Sequence, residues 1–143
     1  MQAGRMSVDE LAAFLDAEFP QLNGGGRSFV VEAAGHGHAR MRLLYHERHL
    51  RPGGTIAGPA MFALADVSLY AAILASIGPV ALAVTTGLTI NFLRKPAQRD
   101  LIGECDLLKL GKRLAVGQVT ICSEGEREAV AHATGTYSIP AST

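Results

Sequence analysis

From Pro59 to Ile77 the chain reads PAMFALADVSLYAAILASI, a run in which almost every side chain is apolar or small and Asp66 is the only charge. A helix over this run has no solvent face, so other structure must enclose it. Leaving a lone carboxylate in such surroundings is costly unless it is paired, hydrogen-bonded or protonated. Asp66 therefore needs a structural or chemical reason. Three plainer arrangements compete with chemistry. A membrane span is one, since Ile56 to Val84 holds roughly the ~20 apolar residues a bilayer requires. Against it stand the break at Gly78-Pro79, the central Asp66 and the lack of flanking Lys and Arg clusters. The second is a buried helix whose Asp is satisfied by a nearby hydroxyl such as Ser68 or Tyr70, or by a backbone amide. The third, an edge helix whose Asp reaches water, would need a polar stripe that the run lacks.

A chain of 143 residues is expected to form one domain, large enough to bury a core without staples. Its 13 basic and 13 acidic residues cancel, so bulk electrostatics hold no nucleic acid here, and any anion site must be local. Cys105 and Cys122 fall within expected strands, outside any CxxC spacing, and read as reduced core residues. Acidic residues occupy the N-terminus where an export signal needs its apolar stretch, so the expected compartment is the cytoplasm.

Ser7 followed by Glu10 makes a capping-box pattern, and Leu11, Phe14 and Leu15 then recur at helical spacing, predicting a helix over Val8 to Phe19. After the break at Asn23 to Gly26, two strands are expected, Phe29 to Ala34 and His38 to His46, with a Gly35-His36-Gly37 turn between them. Ala39, Met41, Leu43 and Tyr45 alternate with Arg40, Arg42 and Leu44, giving one apolar face and one mostly basic face. That basic face reads as a solvated strand surface rather than an anion site. The histidine pairs 36/38 and 46/49 lack carboxylate or thiolate company, so no metal site is expected.

Gly58-Pro59 opens the central helix. Proline is tolerated there, and a glycine amide at a helix start is where developing negative charge can be stabilised, although Gly-Pro is also ordinary helix-start punctuation. Beyond Gly78-Pro79 four strands are expected in succession, Val80 to Leu93, Leu101 to Leu110, Arg113 to Cys122 and Glu128 to Ile139, read as a meander. A flat antiparallel sheet would leave a wholly apolar helix half uncovered. The sheet is therefore expected to curl around it, with a second subunit available to cover the rest.

The stretch GGTIAGPAMFALADVSLYAAI, followed by VTTGLTINFLRKPA and LLKLGKRLAVGQVTI, resembles the hotdog-fold acyl-CoA thioesterases, specifically the phenylacetic-acid-degradation (PaaI-like) branch. The resemblance runs from about Leu50 to Pro140. It implies an α+β fold with about six antiparallel strands curled around the central helix, residues 28–140, preceded by an N-terminal helix and linker, residues 1–27. It also implies hydrolysis of a small or medium acyl-CoA thioester without metal or redox cofactor, coenzyme A being part of the substrate. A homodimer, or a dimer of dimers, with active sites at the subunit interface follows from the same resemblance, with no nucleic-acid or membrane partner.

The family's helical acid, general base or nucleophile, matches Asp66. The glycine whose amide polarises the thioester carbonyl matches Gly58. The Ser or Thr that helps hold the attacking water or the carboxylate matches Thr85, with Thr86 beside it. Gly54, Pro59 and Asn91 fall where the family lines its substrate site, and Arg94, Lys95, Lys112 and Arg113 where it receives the phosphates of coenzyme A. Two positions depart from the pattern. Ala57 stands where many members have histidine, and Arg51 where an orienting asparagine is frequent, leaving Arg51 open to an anionic acyl group or a phosphate. These departures keep a non-hydrolytic acyl-CoA-binding protein in play. A dehydratase would need a histidine paired with the acid, for which His49 is the nearby candidate. Gly58 and Asp66 lie about 12 Å apart along one helix at ~1.5 Å per residue, too far for both to act on one carbonyl. If both act, they come from different subunits.

Overall fold

The computed structural model describes residues 3–141. Helix α1 (Val8–Glu18) begins at the expected capping box: Ser7 Oγ accepts the Glu10 amide at 3.1 Å, and Glu10 Oε1 accepts the Ser7 amide at 3.0 Å. Its apolar side, Leu11 and Leu15, is buried. Pro20 then tightens the chain into a single 3-10 turn, Pro20–Asn23.

Strands β1 (Phe29–Gly35) and β2 (His38–Leu43) form an antiparallel hairpin, turned by Gly37 at φ 75°. β2 stops short of the expected His46 because Tyr45 turns its amide onto Asp100 Oδ1 at 2.6 Å. Ala39, Met41 and Leu43 are fully buried, as the alternation requires. The opposite face is neutralised by carboxylates. Arg40 pairs with Glu104 at 2.6 Å, while Arg42 gathers Glu32, Asp100 and Glu124.

Helix α2 (Gly58–Ile77) is followed by β3 (Val84–Phe92), β4 (Leu101–Leu110), β5 (Leu114–Ser123) and β6 (Ala129–Ser138). All pair antiparallel in one sheet of order β1-β2-β4-β5-β6-β3, and this corrects the expected meander. β3 lies at the far edge beside β6, and β4 returns beside β2. The connection from Leu93 to Asp100 explains the difference. It exceeds the two to five residues of a tight hairpin and carries Pro96, so it crosses the sheet end instead of folding β4 back onto β3.

The curled sheet wraps α2. Though long and apolar enough to cross a membrane, the helix has most of its length buried inside the protein. Leu64, Leu69, Ile73 and Leu74 are at most 1% exposed. Contact this close needs small residues beneath. Gly117 and Gly135 face each other across β5 and β6, and Leu69 fills the notch between them; a Cβ on either would lie 2.5 or 2.8 Å from its methyl groups. Ser68 and Ser76, the helix's buried hydroxyls, donate to the carbonyls of Leu64 and Ala72, each at 2.7 Å. Cys105 is buried and Cys122 half-buried, both as free thiols. β3 is the exposed edge. Val84 and Phe92, with the neighbouring Leu82 and Leu93, are all more than half exposed.

Candidate active site

Asp66 sits in the middle of α2, half-buried, and its carboxylate is satisfied neither by Ser68 nor by Tyr70. Ser68 bonds within the helix, and Tyr70 donates to the Ala81 carbonyl at 2.9 Å. The partners come from the sheet instead. Thr85 Oγ1 donates to Asp66 Oδ1 at 2.6 Å, and the Tyr137 hydroxyl donates to the same oxygen at 2.8 Å. Thr85 and Tyr137 are direct partners in the β3–β6 ladder, which brings both hydroxyls to one point. Such charge-assisted bonds are the stronger kind. Thr86 is not brought to the carboxylate. It follows Thr85 on the strand, points away, and donates to the Thr136 carbonyl at 3.2 Å.

Tyr137 is the site residue that sequence reasoning misses. Its signal was a register pairing, visible only once β3 lies beside β6. The ring is 4% exposed and stacks on Tyr70 at 6.1 Å and 22°, and Tyr70 meets Phe19 edge-on at 6.3 Å. Burial, and after it the Asp66 charge, push the Tyr137 phenol well above its usual range, so it remains a proton donor at any working pH. Burial likewise raises the Tyr70 phenol, with Glu18 adding to the shift. Asp66, Thr85 and Tyr137 line a cavity of about 310 Å³ together with Tyr70, Phe19 and Glu18.

A second cleft, of about 640 Å³, opens at the start of α2 and is lined by Arg51, Gly53, Gly58, Phe92, Arg94 and Lys95 among others. No side chain caps this helix. Of the first-turn amides, Pro59 has none to offer, and Ala60 and Met61 turn back to the Ala57 carbonyl at 3.1 and 3.2 Å. Among the described residues nothing accepts the Gly58 N–H, so it is left for a ligand. A Cβ on Gly58 would approach the Phe92 ring at 3.3 Å, so glycine keeps the close contact. Pro59 borders a neighbouring apolar hollow with Phe62, Ile90 and Phe92.

The remaining expected ligand residues divide. Arg51 and Lys95 carry no ion pair among the described residues, whereas Arg94 is engaged by Glu128 and donates to the Ala129 carbonyl at 3.1 Å. Gly54 adopts φ 83° and accepts the Tyr45 hydroxyl on its carbonyl at 2.7 Å, serving the loop. Asn91 is exposed on β3, opposite His132. Lys112 and Arg113 do not join Arg94 and Lys95 within one chain. They precede Leu114, which is level with Val84 through Ser138, so they lie at the other end of β3, roughly 26 Å away at ~3.3 Å per residue. Arg113 donates to the Ile139 carbonyl at 3.1 Å. His49 lines neither cavity. It meets Ser28 Oγ at 3.1 Å, and burial, then Arg48 and His46, pull its pKa down. The acid–histidine pair of a dehydratase is therefore not formed. Among the described residues no cluster of His, Cys, Asp or Glu is arranged to hold a metal.

The cavity at Asp66 and the cleft at Gly58 share no lining residue. One chain thus presents an acid and an open amide on separate surfaces. Residues 53–130, which carry both, match the model of the family described as the thioesterase superfamily. The chain belongs to the thioesterase superfamily. The chemistry of that superfamily is hydrolysis of acyl thioesters. The crystal structure of a putative thioesterase from Silicibacter is 52% identical to this superfamily member, covers 96% of it and 94% of its own chain, and superposes with a TM-score of 0.86. The phenylacetic acid degradation protein PaaI of Thermus thermophilus, in a mutant form, is 25% identical, covering 90% of this chain and 99% of its own, with a TM-score of 0.69. A Halobacterium salinarum protein carrying an unconfirmed esterase designation is 30% identical over 101 residues, 67% of this chain and 66% of its own length. The chain is accordingly a hotdog-fold, PaaI-like thioesterase-superfamily member, and the sheet wrapped on α2 is the hotdog architecture.

Proposed function

We propose that this thioester hydrolase cleaves a small or medium acyl-CoA to the free acid and coenzyme A, with Asp66 as its acid-base or nucleophilic group. One observation carries the reading: the only charge of α2 is held by two hydroxyl donors at the wall of a cavity rather than neutralised by a cation. Used as a base, Asp66 takes a proton from water while the hydroxyl oxygen adds to the thioester carbonyl carbon. Used as a nucleophile, it forms an acyl anhydride that water then opens. In both, negative charge develops on the carbonyl oxygen, and the open Gly58 N–H supplies the donor it needs.

Because the acid and the amide face different spaces, the working site joins Asp66 of one subunit to Gly58 of another, and the protein acts as a homodimer or a dimer of dimers. The exposed apolar edge β3, continuous with Phe62 and Phe92 beside Gly58, supports this assembly. Arg51 and Lys95, the cations of the Gly58 cleft without ion pairs, suit the phosphates of coenzyme A. Asp66→Asn, which keeps shape and hydrogen bonding, should abolish thiol release from a panel of acyl-CoA esters, read with a thiol-detecting reagent. Activity near the native level would sink the assignment.

A second reading, an acyl-CoA carrier or sensor that does not turn over, is favoured by Arg51 in the cleft at the place of the usual orienting asparagine. Stoichiometric acyl-CoA binding by the native protein without thiol release would select it.

A further inference from the structure

The two oxygens of Asp66 are treated differently by the fold. Oδ1 receives Thr85 at 2.6 Å and Tyr137 at 2.8 Å, whereas Oδ2 receives no donor from the described residues. The Tyr137 hydroxyl also lies 3.2 Å from the Asp66 backbone carbonyl, so one phenol touches the main chain and the side chain of the same residue. A carboxylate on a helix is otherwise free to turn about its broad terminal torsion and exchange its oxygens. Two donors converging on one oxygen from facing positions of β3 and β6 remove that freedom. The phenol ring itself is buried, stacked between sheet and helix against Tyr70. Its raised pKa, from burial and then from the Asp66 charge, keeps the proton in place.

We propose that Tyr137 is a positioning residue for thioester cleavage: with Thr85 it ties down Asp66 Oδ1 and so makes Oδ2 the reacting atom. The inference rests on the catalytic reading of Asp66. If Asp66 is the base, Oδ2 gains a proton of water, the new C–O bond forms at the thioester carbonyl, and its π pair moves onto oxygen. Collapse of that intermediate then breaks the C–S bond and expels the thiolate. If Asp66 is the nucleophile, the new bond is Oδ2–C, the thiolate leaves, and water later returns the carboxylate. In neither route does Tyr137 give up its proton or touch the substrate. It acts through Asp66.

Tyr137→Phe removes the hydroxyl and keeps the ring. It should lower kcat about 10- to 100-fold, the scale of a lost hydrogen bond to a charged group, with KM within about twofold of native. Thermal stability should fall only modestly, by the lost hydrogen bond alone, because the ring packing is retained. Placing 3-fluorotyrosine at position 137 restores the donor and should bring kcat back to within about threefold of native. Asp66→Asn is assayed in parallel. If it is inactive while Tyr137→Phe keeps kcat within about twofold of native, the positioning role is wrong and the catalytic reading stands. If Asp66→Asn is itself active, both fall together. A loss of kcat that tracks a lowered Tm, and that 3-fluorotyrosine does not restore, makes Tyr137 a packing residue and overturns the proposal.

Discussion

Thr85 and Thr86 are chemically identical neighbours, and the fold gives them opposite duties. Thr85 donates to the Asp66 carboxylate, whereas Thr86 closes onto the Thr136 carbonyl at the bulge where β3 shifts register. Thr85→Ala should therefore reduce kcat about 10- to 100-fold, as expected when a hydrogen bond to a charged group is lost. Thr86→Ala, measured in the same assay, should stay within about threefold of native. Comparable losses in the two variants would contradict the geometry. Asp66 could be read directly from the sequence because a solitary charge in an apolar helix has few physical excuses. Thr85 was preferred to Thr86 only through resemblance, since strand alternation cannot say which face turns toward the helix. Tyr137 has no local signal: it is far from Asp66 in sequence and meets it only through the pairing of β6 with β3. The basic face of β2 is solvated, as the alternation suggests, and its arginines are matched there by Glu32, Asp100, Glu104 and Glu124.

The elements themselves were legible to within a few residues, because capping, alternation and the unbroken apolar run are local properties. Their order in the sheet was not. Register between distant strands depends on what fits against α2, and that is decided by side chains whose pairing no local pattern reports. The Gly117–Gly135 notch illustrates the point. Each glycine looks like a weak point in a strand, yet together they admit Leu69 and let β5 and β6 close on the helix. Gly117→Ala would place a Cβ 2.5 Å from Leu69 Cδ1 and 3.0 Å from the half-buried Leu107 Cδ2, and Leu69, 1% exposed, is enclosed by the core. Overpacking of this kind costs about 1–3 kcal/mol, to be seen as a lower urea midpoint at unchanged m-value. Gly37→Ala is the control, since a Cβ there meets nothing and only its positive φ resists substitution. It should cost less than Gly117→Ala, on the order of 1 kcal/mol. Trimming Leu69 to Val in the Gly117→Ala background should recover part of the loss, because the clash belongs to that pair and not to the strand as a whole.

At the scale of the molecule the acid and the amide are separated by the helix that carries them both, and this has a testable consequence for mixtures of inactive chains. Asp66→Asn removes the proposed base or nucleophile. Gly58→Pro removes the first-turn hydrogen proposed to meet the substrate; the backbone of a helix start accepts proline, while its Cβ crowds the Phe92 ring at 3.3 Å, so the variant's fold is checked alongside its activity. Each variant alone should be inactive. In a two-fold dimer whose sites are shared, a mixed dimer carries both defects in one site and neither in the other. Random reassembly of equal amounts of the two variants makes about half the dimers mixed, so activity should return to about one quarter of the native value per chain. Size-exclusion chromatography of the same samples checks that both variants assemble as the native protein does. If each chain completed its own site, no proportion of the two variants would show turnover, whatever dimers they formed. Recovery to the predicted fraction would place the reaction between subunits, with the distance along α2 as the reason.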